Sequence, residues 1–434
     1  NEQLLIMSAT EEDDYIIRFG YQRFGDILRA TSLIQSCKVN DSFEFSQLVR
    51  KMSLLSDEDY GVIEALASCM PEQLNIEITD SGLGLDPGLA HKLFINSLTL
   101  RSKKSITYSI EEHIIGAFQT GGLWQSVYKN LFKVFLVPDH YLNASNWFKK
   151  FHSNQDQPSR DTYLSIALSE SYDEKGAIWL LIELVSRIEE SNWPRESYKL
   201  AASALLWCCS ATDRRVRDQA TRCLTILFIE HPYTCMYAVE TFYECNDDYI
   251  QESLIMGMYS SCLLSDLNIN EFIFPLNLFI CDNEETSNIL IREHALLLKQ
   301  LLKEKGCDIK GITGQFSSPL LPEKWPVLGD VDDLLSLEKL PSSMKLWGDQ
   351  LGPDFWRYVV ESKIRSFDLN SLSISHENIA CWIMNETLEL GYPGYRNGAL
   401  GHDLATLYKY GTGRAKPGYA ETIGKNAIGL LYID

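Results

Sequence analysis

The segment TDRRVRDQATRCLTILF (212–228) decides the fold. Val216, Ala220, Cys223 and Leu227 recur at steps of four, three and four residues, which sets them on one face of a helix. Asp213, Arg214, Arg215, Arg217 and Asp218 occupy the other face, and Thr212 reads as the N-cap. Asp213 with Arg217, and Arg214 with Asp218, stand one turn apart, pairs worth about 0.2–0.5 kcal/mol each.

The same pattern extends in both directions. Upstream, Asn192 and Pro194 open a helix with Tyr198, Ala202, Leu205 and Cys209 inward, and Ile178, Leu181, Leu184 and Ile188 line an earlier one. Downstream, helices are expected to start near Tyr233, Tyr249, Glu271 and Glu285. These starts pair off at roughly 35 to 40 residues, the spacing of tetratricopeptide, HEAT or armadillo arrays. No strict repeat consensus is visible. The expected fold is therefore mainly α: an irregular helical-repeat solenoid, tetratricopeptide- or HEAT-like, in which each helix pair buries its apolar face on its neighbours.

The flanks differ. Residues 22–70 read as further helices, Phe43–Met52 and Glu58–Cys69 among them, followed by the alternating stretch LNIEITD (74–80) and the turn-rich SGLGLDPG. After Lys305 comes the loop-rich GCDIKGITGQFSSPLLPEKWPVLGD, and helices are expected again at 353–365 and 377–390. From Gly391 to Gly424 the chain is dense in Gly and Tyr, which suits hairpins or long loops. The expected division is 1–35, 36–105 as a small mixed helical unit, 106–305 as the helical array, and 306–434 as a loop-rich aromatic part.

Composition narrows the function. The 434 residues carry 39 Lys+Arg against 59 Asp+Glu, a net charge of −20. Such a chain repels nucleic-acid phosphates, and an acidic face on the array would favour a basic partner. Its longest apolar runs, such as AIWLLIELV (177–185) and FIFPLNLFI (272–280), are about half a bilayer span, so no membrane partner is expected. The opening NEQLLIMSATEEDDY has no initiator Met, basic n-region or apolar h-region and reads as an internal start of a longer protein. The eleven cysteines lack CxxC spacing and read as reduced, buried thiols of a cytoplasmic protein.

Catalytic motifs are missing. GYAETIGKN (418–426) puts five residues between Gly418 and Gly424, and Asn426 stands where a phosphate loop needs Ser or Thr for magnesium. It reads as a glycine-rich surface turn, with Arg414, Lys416 and Lys425 placed to meet an acidic or phosphate-bearing partner. His376 and Glu377 lack the second His of a zinc helix, and with Ser375 they fit a helix start, as do His402 and Asp403. No hydrolase triad and no metal-ligand set is read, so no catalytic residue and no cofactor is assigned to this chain. Trp325, Trp347, Trp356 and the tyrosines at 392, 395, 408, 410 and 419 enrich the C-terminal third, as an interface would. Arg396, Arg414, Lys416 and Tyr419 are the candidate ligand-binding residues, and the arginines at 214, 215 and 217 are read as structural.

Several segments resemble the bacterial antiviral STAND NTPases of the AVAST (Avs) group. DYIIRFGYQRFGDILRA (14–30) is similar to the end of the winged-helix part of a STAND module. GVIEALASCMPEQLNIEI (61–78) and ASALLWCCSATDRRVRDQATRCLTILF (202–228) resemble the opening and middle of the family's helical sensor. DFWRYVV (354–360) and ETIGK (421–425) are similar to two later sensor segments, although NAIGLLYID follows where the family carries a bulky aromatic run.

The resemblance implies a sensor region that binds a conserved phage protein by its shape, the large terminase subunit or else the portal protein. Binding would drive homo-oligomerisation and switch on an N-terminal effector such as a nuclease. ATP and magnesium would belong to the STAND module of the full-length protein, and residues 1–35 would be the remnant of that module. Two other readings stay open: a helical-repeat scaffold or adaptor unrelated to defence, and an enzyme with Gly418–Lys425 as a divergent nucleotide site. Residues 14–30 discriminate the first, since in the defence reading they belong to a separate domain and would pack poorly here.

Overall fold

The computed structural model describes residues 5–9, 15–19, 22–37, 57–105, 123–146, 157–317 (except 244, 246 and 287) and 362–366, with isolated positions between them. The fold is mainly α and divides into two compact units, Asn1–Trp147 and Phe148–Asp434. The expected boundaries after residues 35 and 105 fall inside the first unit. The predicted helix within 377–390 and the C-terminal hairpins lie outside the described residues, and of 353–365 only Ser362–Ser366 is described, as one short helical turn.

The first unit begins with an antiparallel pair, β1 (Leu5–Ala9) and β2 (Tyr15–Phe19), in the register Leu5 to Phe19 and Ala9 to Tyr15. Among the described residues the longer helices that follow are α1 (Gln22–Cys37), α2 (Asp57–Leu74), α3 (Pro87–Ser97) and α4 (Trp124–Leu131). Each packs on the next, and β2 contacts α1. Ala30 and Ile34 are fully buried on the side of α1 that meets α2. Within 22–30, Gly25, Asp26 and Ala30 are buried, while Phe24 and Leu28 are 40% and 45% exposed.

A polar chain threads the same helices. Arg23 Nη1 donates to Glu64 Oε2 at 2.5 Å and Asn96 Nδ2 to Glu64 Oε1 at 2.6 Å. Asn130 Nδ2 reaches Asn96 Oδ1 at 3.2 Å, and Lys133 Nζ reaches Asn130 Oδ1 at 3.1 Å. Burial against Gly61 holds the Asp26 carboxyl above its ordinary range, and a side chain at 61 would meet that carboxyl at once.

The stretch LNIEITD is a turn rather than a strand. Asn75 takes a positive φ of 57°, which ends α2, Ile78 is fully buried, and Glu77 is taken up by an ion pair. The alternation has another cause: Ile78 plugs the core while Glu77 grips the fully buried Arg101 side chain at 2.7 and 2.8 Å. Arg101 also donates to Ser97 Oγ and the Ala67 carbonyl and lies over the Phe94 ring at 4.9 Å.

His140 gives this unit a pH dependence. Leu142 N donates to its Nδ1 at 3.1 Å and its Nε2 donates to the Leu98 carbonyl at 3.0 Å, so both nitrogens are satisfied in the neutral ring. Burial lowers its pKa below the ordinary 6.5. Below that value the unfolded chain takes up a proton that the native ring resists, so stability falls as pH drops through 6.5 until the lower native pKa is reached. Urea unfolding of this unit at pH 7.5 and 5.5 should show the loss, and His140→Gln should remove most of the difference.

The second unit is the helical-repeat solenoid. Its helices are α5 (Gln157–Asp173), α6 (Ala177–Ser186), α7 (Arg195–Cys209) and α8 (Arg214–Glu230). They continue as α9 (Tyr233–Thr241), α10 (Asp248–Leu264), α11 (Ile273–Asp282) and α12 (Ile289–Glu304). Successive helices pair as hairpins, α5 with α6 through α11 with α12. Alternate helices also pack side by side: α7, α9 and α11 form layer A, and α6, α8, α10 and α12 form layer B. The last three layer B helices begin at 214, 248 and 289, steps of 34 and 41 residues.

A repeat signature emerges that simple periodicity concealed. Asp213, Asp247 and Asn288 each cap a layer B helix, accepting from the backbone N–H two residues on at 2.9, 3.0 and 2.9 Å. Three residues after each cap stands fully buried Val216, Ile250 or Ile291. Four residues after it, Arg217, Gln251 or Arg292 turns back onto the carbonyl two residues before the cap, Ala211, Cys245 or Thr286, at 2.7, 3.4 and 3.1 Å. Each turn between layers is thereby satisfied from within its own helix start.

Local expectations shift accordingly. Asp213, not Thr212, is the N-cap of α8; Thr212 is buried and instead takes its backbone N–H to Ser165 Oγ at 2.7 Å, tying the turn to α5. Arg217 does not pair with Asp213, because the carbonyls claim it. Leu184 is 48% exposed, and Val185 takes the inward place on α6. Gly257 lets α10 approach α8, where an added Cβ would stand 3.4 Å from Leu224 and Phe228.

The array also runs past Lys305. Gly306, at φ +83°, turns the chain so that 308–317 folds back over α11 and α12. Thr313 N and Gly314 N donate to Asn277 Oδ1 at 2.8 and 2.9 Å, Ser317 N reaches the Glu284 carbonyl at 2.9 Å, and Arg292 donates to the Ser317 carbonyl at 2.6 Å. This strap covers polar backbone that a free connector would leave to water.

Candidate partner-binding surface

Layer B carries part of the exposed apolar surface of the array; Phe274 on α11 and Leu267 in a turn, 63% and 71% exposed, lie outside it. Leu180 and Leu184 stand one turn apart on α6, 49% and 48% exposed. Ile226 on α8, Met256 and Tyr259 on α10, and Leu297 and Leu301 on α12 are half-buried there, and Leu263 and Leu296 are exposed. Because the caps set a common register, equivalent positions align across neighbouring helices. Nine residues after the caps come Arg222, Met256 and Leu297, and thirteen after come Ile226, Ser260 and Leu301.

Charge is unevenly distributed. Residues 157–317 hold 24 acids and 14 bases, a net of −10. The four layer B helices hold seven of each and layer A only three acids against two bases, so the excess acid lies on α5 and the connecting turns. The expected acidic face is therefore not layer B as a whole. Within layer B the sign changes by helix: α8 has four arginines against Asp218 and Glu230, whereas α10 carries only Asp248 and Glu252.

Arg214, Arg215 and Arg217 are engaged within the array, while Arg222 is exposed. Arg215 binds Asp213 at 2.6 Å and Asp173 at 2.9 Å, which raises its pKa further, and Arg214 meets Asp218 at 3.3 Å. Arg217 lies over the Tyr249 ring at 4.3 Å. Their role is structural. Glu252 differs: burial raises its pKa, opposed by His294 and Arg217 and reinforced by Asp248, and among the described residues no hydrogen bond or ion pair reaches its carboxylate. The α7–α9 side of layer A carries an aromatic ladder, with Trp193 stacked on Tyr198 at 5.4 Å, Tyr198 against His231 at 3.8 Å, and Arg195 over Tyr233 at 4.3 Å.

Arg396, Arg414, Lys416 and Tyr419 lie outside the described residues, as do His376, His402 and the 418–426 turn. Among the described residues no group of three His, Cys, Asp or Glu is arranged to hold a metal, and no helix is long and apolar enough to cross a membrane. Cys208, Cys209, Cys223, Cys235 and Cys262 are buried free thiols. Burial pushes Cys209 up to about 11 and Cys223 and Cys262 to about 12. These thiols should resist maleimide at pH 7.5 while exposed Cys281 reacts, as peptide mass mapping before and after unfolding would show.

Fold and surface define the second unit as a helical-repeat array with a partly apolar layer. No family model, curated protein or solved structure matches the chain.

Proposed function

We propose that this chain is the ligand-sensing region of a bacterial anti-phage STAND NTPase, whose helical array holds a conserved phage protein. The large terminase subunit is the first choice of ligand and the portal protein the second. The observation that supports binding is the row of exposed and half-buried apolar side chains across layer B, from Leu180 and Leu184 to Leu296 and Leu297. The identity of the ligand rests on the resemblance alone. In this reading the chain performs no catalysis itself; ATP and magnesium serve the STAND module of the full-length protein, which homo-oligomerises in the cytoplasm once the ligand is held.

A second reading, a scaffold or adaptor solenoid outside defence, draws support from α1. Its burial against α2 suits a native part of the first unit more than a displaced module end. Size-exclusion chromatography with light scattering, on the chain mixed with large terminase or portal protein, separates the two. A stable complex with either is expected; separate elution from both would overturn the phage reading and leave the scaffold.

A further inference from the structure

Ile289, Arg292, Leu296 and Lys299 recur at steps of three, four and three along α12 and so share one stripe of its surface. The stripe faces away from α10, whose side is marked by His294, 6.1 Å from the Tyr259 ring, with Leu290, Leu297 and Leu301. Its two cations hold the strap. Arg292 donates to the Ser317 carbonyl at 2.6 Å and lies over the Phe316 ring at 5.0 Å, and Lys299 Nζ reaches the Ile312 carbonyl at 3.4 Å. Its two aliphatic members are left open, Ile289 at 73% and Leu296 at 51% exposure. Among the described residues α12 is the last helix of the array, and the outer flank of a terminal repeat has no neighbouring repeat to bury it, so it needs a cap. Ser317 N and Oγ also bond the Glu284 carbonyl at 2.9 and 2.8 Å, so the chain leaves the strap beside the first turn of α12, where Ile289 stands.

The sequence that follows Ser317 is SPLLPEKWPVL (318–328), mostly apolar, with prolines at 319, 322 and 326. Proline fixes its own φ and holds the residue before it extended, so such a segment suits lying along a helix rather than forming one. Reach is ample. Ile289 and Leu296 each stand about one helical turn from Arg292, which already grips Ser317, and lie about 10.5 Å apart along the axis, a distance an extended chain covers in about three residues. We propose that residues 319–325 dock along the Ile289–Leu296 stripe and complete the end of the array, with Leu320, Leu321 and Trp325 supplying the apolar groups. Area favours this occupant over a second copy of the chain. Ile289 and Leu296 together fall far short of the roughly 800 Å² that each partner of a stable dimer buries, whereas a segment tethered at Ser317 meets the stripe at an effective concentration on the order of millimolar. Leu290, Leu297 and Leu301, toward α10, stay open, so the inference holds whichever partner layer B receives.

The test uses the full chain. Hydrogen–deuterium exchange read by mass spectrometry should find the amides of 320–325 at least about tenfold slower than in a synthetic peptide of residues 312–330. Ile289→Ser with Leu296→Ser should return them to within about twofold of the peptide, while α7 and α8 exchange as before. Leu264→Ser with Leu267→Ser, both residues 71% exposed at the end of α10 and in the turn after it, removes as much aliphatic surface elsewhere and should leave the protection intact. Leu320→Ser with Leu321→Ser should free the amides of 323–325 without altering the array, which decides the matter even if the α12 pair fails to fold. Peptide-like exchange in the unaltered chain, or equal effects of the α12 and α10 pairs, would overturn the proposal. So would protection that grows with chain concentration alongside a dimer in light scattering, which would give the stripe to a second copy.

Discussion

Glu77→Ala should lower the stability of the first unit by about 3 kcal/mol. The Arg101 side chain is fully buried and Glu77 supplies both oxygens that neutralise it, at 2.7 and 2.8 Å. Removing the acid leaves a guanidinium in the core with Ser97 Oγ, one carbonyl and the Phe94 ring as its remaining partners. None of these carries charge. The value belongs at the lower end of the range for broken buried pairs, because Glu77 itself is 27% exposed and water can enter where it leaves. The reverse change should be milder. Arg101→Met fills the space beside Phe94 and frees a carboxylate that reaches solvent, so a loss of about 1–2 kcal/mol is expected. Hydrogen exchange of α2 and α3 amides in urea reads both variants, and an Arg101→Met loss equal to or above that of Glu77→Ala would contradict the account.

Asp213→Ala should cost the array about 2 kcal/mol. Asp213 is 2% exposed and works three ways: it caps α8 through the Arg215 N–H and holds the Arg215 guanidinium through both oxygens. A lost cap accounts for about 1 kcal/mol, and the rest follows from an uncapped donor at a buried turn. Arg215 adds little, since it is 46% exposed and keeps Asp173. Asp213→Asn preserves the cap and should recover most of the loss. In a solenoid each repeat leans on its neighbours, so the damage should spread to α6 and α10 rather than stay in α8. Thermal unfolding followed by circular dichroism gives the size of the effect, and exchange of α6 and α10 amides gives its reach. A loss confined to the first turn of α8 would argue against coupled repeats.

Much of the array was legible because helix stacking leaves a periodic trace. Val216, Ala220, Cys223 and Leu227 are all buried as their spacing requires, and helices begin at or next to the expected Tyr233 and Tyr249. What escaped notice was of two kinds. The repeat signature is polar and sparse: Asp213, Asp247 and Asn288 differ in residue type and in spacing, and the residue that folds back is Arg, Gln or Arg. Only the shared hydrogen bonds reveal them as equivalent. Leu184 misled for a different reason, since α6 is apolar on all sides and periodicity cannot choose an inward face when every face qualifies.

The first unit was harder to read. Alternation in 74–80 imitates a strand, yet Ile78 fills the core and Glu77 serves a buried arginine 24 residues further along the chain. Loop composition after Lys305 correctly marks the end of α12, but composition says nothing of the Asn277, Glu284 and Arg292 groups that hold the strap. The candidate surface was partly foreseeable: an apolar excess on α6 and α12 can be counted, whereas the alignment of Met256 with Leu297 needs the register that packing supplies.

The central claim is that layer B receives the partner, and hydrogen–deuterium exchange of the chain with and without large terminase or portal protein tests it most directly. Slowed exchange concentrated in α6, α8, α10 and α12, with layer A unchanged, is the predicted result. Protection of α7 and α9, or an exchange pattern the same with and without the phage protein, would contradict it.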